Sequence, residues 1–201
     1  MKKWLSIGLL ALGLSLFGHG AYMQAKAWLA QVLIEQAWQT ALKSPNKKIK
    51  PWFYADSYPV AQIIWPKHNK RLTVLDGASG RNLAFAPSHF LPAGELGGAD
   101  FGNSQGALIA GHNDTHFAFL KNAKVGEQFS LQLQNGKVQH YSVTHVEVIN
   151  QYNTDFLHQA GLYLLTCYPF DSLASGTDLR WLVSAEISSP EVALGISTTS
   201  S

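Results

Sequence analysis

Residues 161–183 read GLYLLTCYPFDSLASGTDLRWLV, and Cys167 within them is the single cysteine of 201 residues. Side chains along a strand alternate in facing, so Tyr163, Leu165 and Cys167 share one face of this apolar run and Leu164 and Thr166 the other. Pro169 has no N–H to give a ladder and ends the strand, which leaves Cys167 at its exit. The loop 168–178 leads into a second run, LRWLVSAEI. If the two strands pair antiparallel across that loop, Cys167 lies opposite Leu179 or Arg180, and opposed residues stand about 5 Å apart. A guanidinium there favours thiolate over thiol and offers a planar fork of donors. This stretch alone leaves a plainer reading open: a small apolar cysteine, and a surface arginine paired with Asp178 or Glu186.

Outward from this segment the same texture continues. Short runs rich in Val, Ile, Leu and Phe alternate with Gly, Asn, Asp and Ser clusters from Val60 onward, the pattern of a small all-β barrel or sandwich. The strand candidates are VAQIIW, RLTVLD, NLAFA, GALIAG, QFSLQLQ, KVQHYSVTHVEVIN, GLYLLTC and LRWLVSAEI. Asn135-Gly136 between two alternating runs signals a hairpin with a type I′ turn. Eight glycines lie between Asp76 and His112, but they match neither a P-loop nor a G-x-G-x-x-G pattern and read as turns. No repeat of 20 to 50 residues is visible. The tail SSPEVALGISTTSS reads as frayed or disordered.

The N-terminus has a different character. After Lys2 and Lys3 no formal charge appears until Lys26, and residues 4–22 are apolar enough, at about 19 residues, to cross a bilayer as a helix. The leading lysines place that end in the cytoplasm and export the remainder. A cleaved signal peptide with Ala25-Lys26-Ala27 as its processing site is the competing reading; the long stretch after Gly18 and the resumed apolar character beyond favour an uncleaved anchor. WLAQVLIEQAWQTAL then pairs Trp28 with Val32, Leu29 with Leu33 and Trp38 with Leu42 at helical spacing. It reads either as an interfacial helix carrying Trp28 and Trp38 or as one packed on the domain. KSPNKKIKPWFYADSYP, with three prolines, reads as a linker. The resulting organisation is an anchor over 1–25, amphipathic helix and linker over 26–59, a barrel over 60–188 and a tail over 189–201.

Composition narrows the partners. With 46% apolar and 14% charged residues the chain can build a packed core and is poor in charge for a cytosolic protein. A formal charge of +2 with scattered lysines gives no nucleic-acid footprint. One cysteine excludes an internal disulfide and any multi-cysteine metal site.

A nucleophilic cysteine needs a proton partner. Of eight histidines, His19 falls in the anchor, and His68, His89, His140, His145 and His158 sit in polar or strand contexts where solvation or packing accounts for them. His112 and His116 lie in ALIAGHNDTHFAFL. His112 ends a strand at a glycine, where Asp114 is placed to cap a short helix. Their spacing resembles half a zinc site, but the Glu of H-E-x-x-H is absent, and no metal is expected.

AGHNDTH 55 residues before the cysteine, LLTC, and an arginine 13 positions after it resemble the sortases. AGHNDTHFAFL and LLTCYPFDSL resemble most those of Gram-negative bacteria, and the similarity runs through the anchor, AKAWLAQVLIEQAW and KPW…ADSYPVA. The resemblance implies a closed eight-stranded β-barrel with short helices behind an N-terminal membrane helix. It implies a cysteine transpeptidase of the hydrolase class, held in the inner membrane by a single pass with its catalytic domain on the periplasmic side. Its protein substrate would carry an LPxTG-like sorting signal: Cys167 attacks the Thr carbonyl, His112 serves as general acid and then base, Arg180 steadies substrate or oxyanion, and an amine acceptor releases the thioester. No cofactor is implied. The chain departs from the family pattern at Tyr163, where Thr is frequent, at Asn113, where Gram-negative relatives carry Arg, and at Trp181, in place of Tyr.

Two other readings compete. An L,D-transpeptidase also uses an exported cysteine, but its arginine follows the cysteine almost at once, where this chain has Tyr168-Pro169. A non-catalytic, membrane-tethered binding barrel would leave the three reactive residues without a purpose.

Overall fold

The computed structural model describes residues 2–45, 47–94, 96, 106–171 and 176–188, with side chains for all of these except 2, 3, 5–7 and 11. The tail expected to fray at 189–201 lies outside the described residues, as do 172–175 of the loop after Cys167 and Gly97, Gly98 and Gly102. One helix, α1 (Lys2–Lys43), precedes eight strands: β1 (Pro59–Trp65), β2 (Lys70–Asp76), β3 (Ser88–His89), β4 (Gly106–Ala110), β5 (Gln128–Leu133), β6 (Val138–Asn150), β7 (Gly161–Cys167) and β8 (Leu179–Ile187). They close into a barrel in the order β1-β2-β3-β4-β7-β8-β6-β5. Among the described residues every strand thus has a neighbour on both sides, although β3 covers only the ends of β2 and β4.

Seven of the eight expected strands form as read. NLAFA does not. Ser79 accepts from the Asn82 backbone N–H and starts a one-turn helix, α2 (Gly80–Leu83), while the Asn82 side chain donates to the carbonyls of Asp76 and Gly77. Such local side-chain bonds outcompete a ladder. The eighth strand is instead Ser88–His89, just after Pro87, pairing parallel with β2 and antiparallel with β4. The hairpin at Asn135-Gly136 exists but is not type I′. Gly136 alone takes a left-handed conformation, at φ 82°. Its N–H bonds the Leu133 carbonyl, and the Leu133 N–H bonds the Lys137 carbonyl, which closes a three-residue loop of the type I plus bulge kind.

Alternation sorts the strands into two faces. Ile63, Trp65, Ile109, Phe129, Leu131, Leu164 and Val183 fill the barrel, with Trp65 stacked on Phe129 at 4.5 Å between ring centres. Outside it, Leu108, Ile149, Tyr163 and Leu182 form a second apolar cluster, with Leu165 against it. That outer face is the one Cys167 shares.

Helix α1 is continuous across the expected division at residue 25. Ala30, Ile34, Ala37, Trp38 and Ala41 repeat every three or four residues and are buried, on the segment that packs against β1 and β2. The Glu35 carboxylate accepts from Gln62 Nε2 and Thr73 Oγ1 on the barrel wall. Trp38 is therefore a packing residue and not an interfacial one, being 0% exposed. Trp28 and, further up, Leu9, Leu10, Leu12, Leu14, Leu16 and Phe17 face outward. Among the described residues no helix is long and apolar enough to cross a membrane.

At one end of the barrel the buried Glu127 carboxylate binds His68 Nε2 at 2.7 Å and Lys67 Nζ at 2.9 Å. Burial pushes this carboxyl up, but the hydrogen bonds and charges of Lys67 and His68 outweigh it and hold the group below the usual carboxylate range. A depressed carboxylate contributes stability that is present above its unfolded pKa and lost as pH falls through the folded one. Glu127→Gln is expected to lower stability at neutral pH by roughly 1–3 kcal/mol. The deficit should shrink toward zero as urea melts are repeated at progressively more acid pH.

Candidate active site

Cys167 ends β7 and its residue is exposed. In the antiparallel β7–β8 register it stands directly opposite Arg180, one of the two partners that the sequence allows. Beyond the cysteine the chain turns at once: the Tyr168 N–H bonds the Leu179 carbonyl, and the Tyr168–Pro169 peptide is cis. Tyr168 stacks on Trp181 at 5.7 Å, and Phe170 meets the same indole edge-on. Trp181 Nε1 donates to the Leu120 carbonyl. This departure from the family's tyrosine thus ties the exit of β7 to the segment that follows His112.

His112 reaches the same end of the sheet by a parallel pairing. Ala110 is in register with Leu165, and the Gly111 N–H continues the ladder to the Leu165 carbonyl. His112 is two residues past Ala110, as Cys167 is two past Leu165. The buried Thr166 hydroxyl donates to the Gly111 carbonyl at 2.7 Å and clamps the two exits together. A side chain at position 111 would fall 2.8 Å from the Phe117 ring, so only glycine lets the strand pass this close. Asn113, the second departure, donates to the Pro169 carbonyl and joins the histidine loop to the cysteine loop. Asp114 caps nothing: residues 113–117 form a turn closed by the Phe117 N–H on the His112 carbonyl, and the 3₁₀ helix Ala118–Asn122 that follows has no side-chain cap.

The Arg180 guanidinium is held by three acceptors: Nη1 donates to the Thr177 and Leu179 carbonyls and Nη2 to Gln151 Oε1. Gln151 is held in turn by Asp178, through its own Nε2 on Oδ1. Among the described residues, five donors less three leaves Nε–H and one Nη2–H for a ligand. Nothing in the sequence singled out Gln151, because its partner lies across two loops. Neither surface pairing considered for Arg180, with Asp178 or with Glu186, forms. Among the described residues neither the Cys167 thiol nor the His112 ring makes a hydrogen bond, and both residues are exposed.

His116, one turn of chain beyond His112, is half-buried. Burial, and then the charge of His112, lower its pKa below the usual imidazole value. His116 therefore holds a proton less readily than an ordinary imidazole. Tyr163, the third departure, is buried, and its hydroxyl donates to the Gln159 carbonyl.

The family model of the sortase domain matches residues 63–188. The chain belongs to the sortase family. Sortases are cysteine transpeptidases acting on proteins that bear sorting signals, and the closed barrel agrees with theirs. The fold is similar to sortase A of Corynebacterium diphtheriae, at TM-score 0.59 and 18% identity over 85% of this chain and 86% of that one. It is similar also to sortase C-1 of Actinomyces oris, at 0.57 and 22% over 78% and 98%. Sortase A of Listeria monocytogenes matches at 0.55 and 20% over 65% and 88%. No curated protein matches this chain.

Below the ordinary imidazole pKa the unfolded chain takes up a proton at His116 that the folded chain refuses, so this group costs stability as pH falls through that range. In an imidazole NMR titration His116 is expected to show a midpoint below its usual value. His112→Gln should raise that midpoint without restoring it, since burial is the larger cause; an unchanged midpoint would show that the two rings do not sense each other.

Proposed function

We propose that this sortase is a membrane-anchored transpeptidase of the class found in Gram-negative bacteria. It would cleave an LPxTG-like signal through a thioester on Cys167 and pass the protein to an amine. The observation that carries the reading is the convergence of His112, 55 positions upstream, with Cys167 and Arg180 at one end of the β4–β7–β8 sheet: Cys167 opposite Arg180 and His112 at the neighbouring strand's exit.

The positions support the following chemistry. Cys167 Sγ, as thiolate, adds to the carbonyl carbon of the signal's Thr, and the carbonyl oxygen takes the negative charge. The free Nε–H and Nη2–H of Arg180 are the donors suited to that oxyanion. The imidazolium of His112 gives its proton to the departing amine nitrogen as the C–N bond breaks, leaving a Cys167 thioester and neutral imidazole. His112 then takes a proton from the acceptor amine, whose nitrogen adds to the thioester carbon and expels the thiolate. Two moderate steps replace one hard amide exchange.

Anchoring is supported by the sequence from Trp4 to Tyr22, free of formal charge, and by the outward-facing leucines of α1. With Lys2 and Lys3 inside, the barrel would stand on the periplasmic side of the inner membrane.

Incubation of the protein with a library of LPxTG-type peptides and a small amine should give an acyl adduct on Cys167 by mass spectrometry and a peptide–amine product. Absence of an adduct with every peptide would sink the proposal. Arg180→Lys is expected to lose most of the transfer rate although charge is kept, because one ammonium cannot serve Gln151, two carbonyls and an oxyanion together. Near-normal turnover in that variant would remove Arg180 from the reaction.

A further inference from the structure

Arg180 has a carboxylate close at hand that it does not use. Asp178 stands two positions before it, and residues two apart on a strand share a face. A carboxylate that meets a guanidinium forms two parallel bonds with it, and the edge made by Nε–H and Nη2–H, the donors left for a ligand, suits that fork. Asp178 nevertheless makes no ion pair with Arg180. Its Oδ1 accepts from Gln151 Nε2 at 2.6 Å, and Gln151 Oε1 accepts from Arg180 Nη2, so one amide stands between the two charges.

The backbone puts Gln151 there. The β6–β8 pairing sets Ile149 against Arg180 and Asn150 against Leu179, and the Gln151 N–H continues it to the Asp178 carbonyl at 2.7 Å. Gln151 is thus opposite Asp178 and diagonal to Arg180, within reach of both for a side chain of its length. Its bonds to Asp178 through main chain and side chain alike fix which way the amide points. An uncharged amide offers an acceptor to the cation and a donor to the anion at once, whereas a carboxylate in its place would pair with Arg180 itself.

We infer that Gln151 is a positioning residue that holds Asp178 one hydrogen bond away from Arg180, so that the guanidinium keeps its Nε–H and Nη2–H, and its uncompensated charge, for the oxyanion formed at Cys167. The use at the oxyanion rests on the transpeptidase reading above. The spacing of the two charges does not: Arg180 is directly opposite Cys167, so the same bridge sets the positive charge that a thiolate there meets, whatever the substrate.

The test compares the wild type with Gln151→Glu, Gln151→Met and the double variant Gln151→Met/Asp178→Asn. Gln151 is half-buried and Asp178 exposed, so these substitutions leave the core untouched. Gln151→Glu sets a carboxylate against Arg180, and Gln151→Met frees Asp178 to close on it. Both are expected to lower kcat for peptide–amine transfer about tenfold or more while KM stays within about twofold, because the donors act on the oxyanion and not on the bound ground state. The double variant should regain most of that loss, since the competing carboxylate is gone; a side chain needed only for packing is not replaced by a change at Asp178. Alkylation of Cys167 by iodoacetamide at pH 7 should likewise be about threefold slower in both single variants, on the scale of one exposed ion pair, and recover in the double variant. Unchanged kcat in the single variants, a rise in KM alone, or a double variant as slow as Gln151→Met would overturn the inference. If the wild type transfers no peptide, the transpeptidase reading falls and alkylation decides by itself: an equal rate in all four proteins overturns the role of Gln151, and slowing that the double variant reverses upholds it as the spacer between Asp178 and Arg180.

Discussion

The parallel pairing of β4 with β7 is the contact on which the site depends. Antiparallel hairpins elsewhere in the barrel join residues that are close in sequence, but His112 and Cys167 are 55 positions apart. Only the β4–β7 ladder brings their strand exits level, and it does so with a final backbone bond from Gly111 to Leu165 and the buried hydroxyl of Thr166 on the Gly111 carbonyl. Leaving a buried carbonyl unbonded costs about 1–3 kcal/mol. The clamp therefore resists slippage of one exit past the other.

Around this clamp the protein keeps its reactive groups apart from its rigid ones. Trp181, Tyr168 and Phe170 pack the chain just beyond Cys167, Phe117 packs behind Gly111, and Gln151 and the backbone hold Arg180. The thiol and the His112 ring sit on that frame without hydrogen bonds among the described residues. Such an arrangement fixes Cα positions while leaving the two side chains free to meet a peptide. The departures at Asn113 and Trp181 belong to the frame: each bonds a carbonyl of a neighbouring segment.

Helix α1 has two halves of opposite character in one continuous element. Its C-terminal half buries Ile34, Trp38 and Ala41 and locks Glu35 onto Gln62 and Thr73, so the barrel is fixed to the helix rather than hung from a loose tether. The linker read from KSPNKKIKPWFYADSYP is likewise packed in part, with Trp52 edge-on to Phe85 and the Lys47 carbonyl bonded by Gln134. A rigid joint of this kind gives the outer face of the barrel a set orientation relative to α1.

Seven strands were legible in the sequence as apolar runs bounded by turn residues, and the strand-exit position of Cys167 followed from parity and Pro169, while its partner stayed open between Leu179 and Arg180 until the β7–β8 register decided it. The two-residue β3 was not legible: it has no period to detect, and NLAFA imitated it until Ser79 and Asn82 turned the backbone into a helical turn. The hairpin at Gly136 was visible but its turn type was not, since Asn135 is compatible with both signs of φ. Helical spacing paired Trp38 with Leu42 but could not say which tryptophan would be buried, because that depends on where the barrel wall meets the helix. What the sequence determined by itself was local: periods, breaks, and the residue types needed for thiol chemistry. The proximity of His112 to Cys167 and the retention of Arg180 by Gln151 were decided only by tertiary structure, because each is a contact between segments whose separation along the chain carries no pattern.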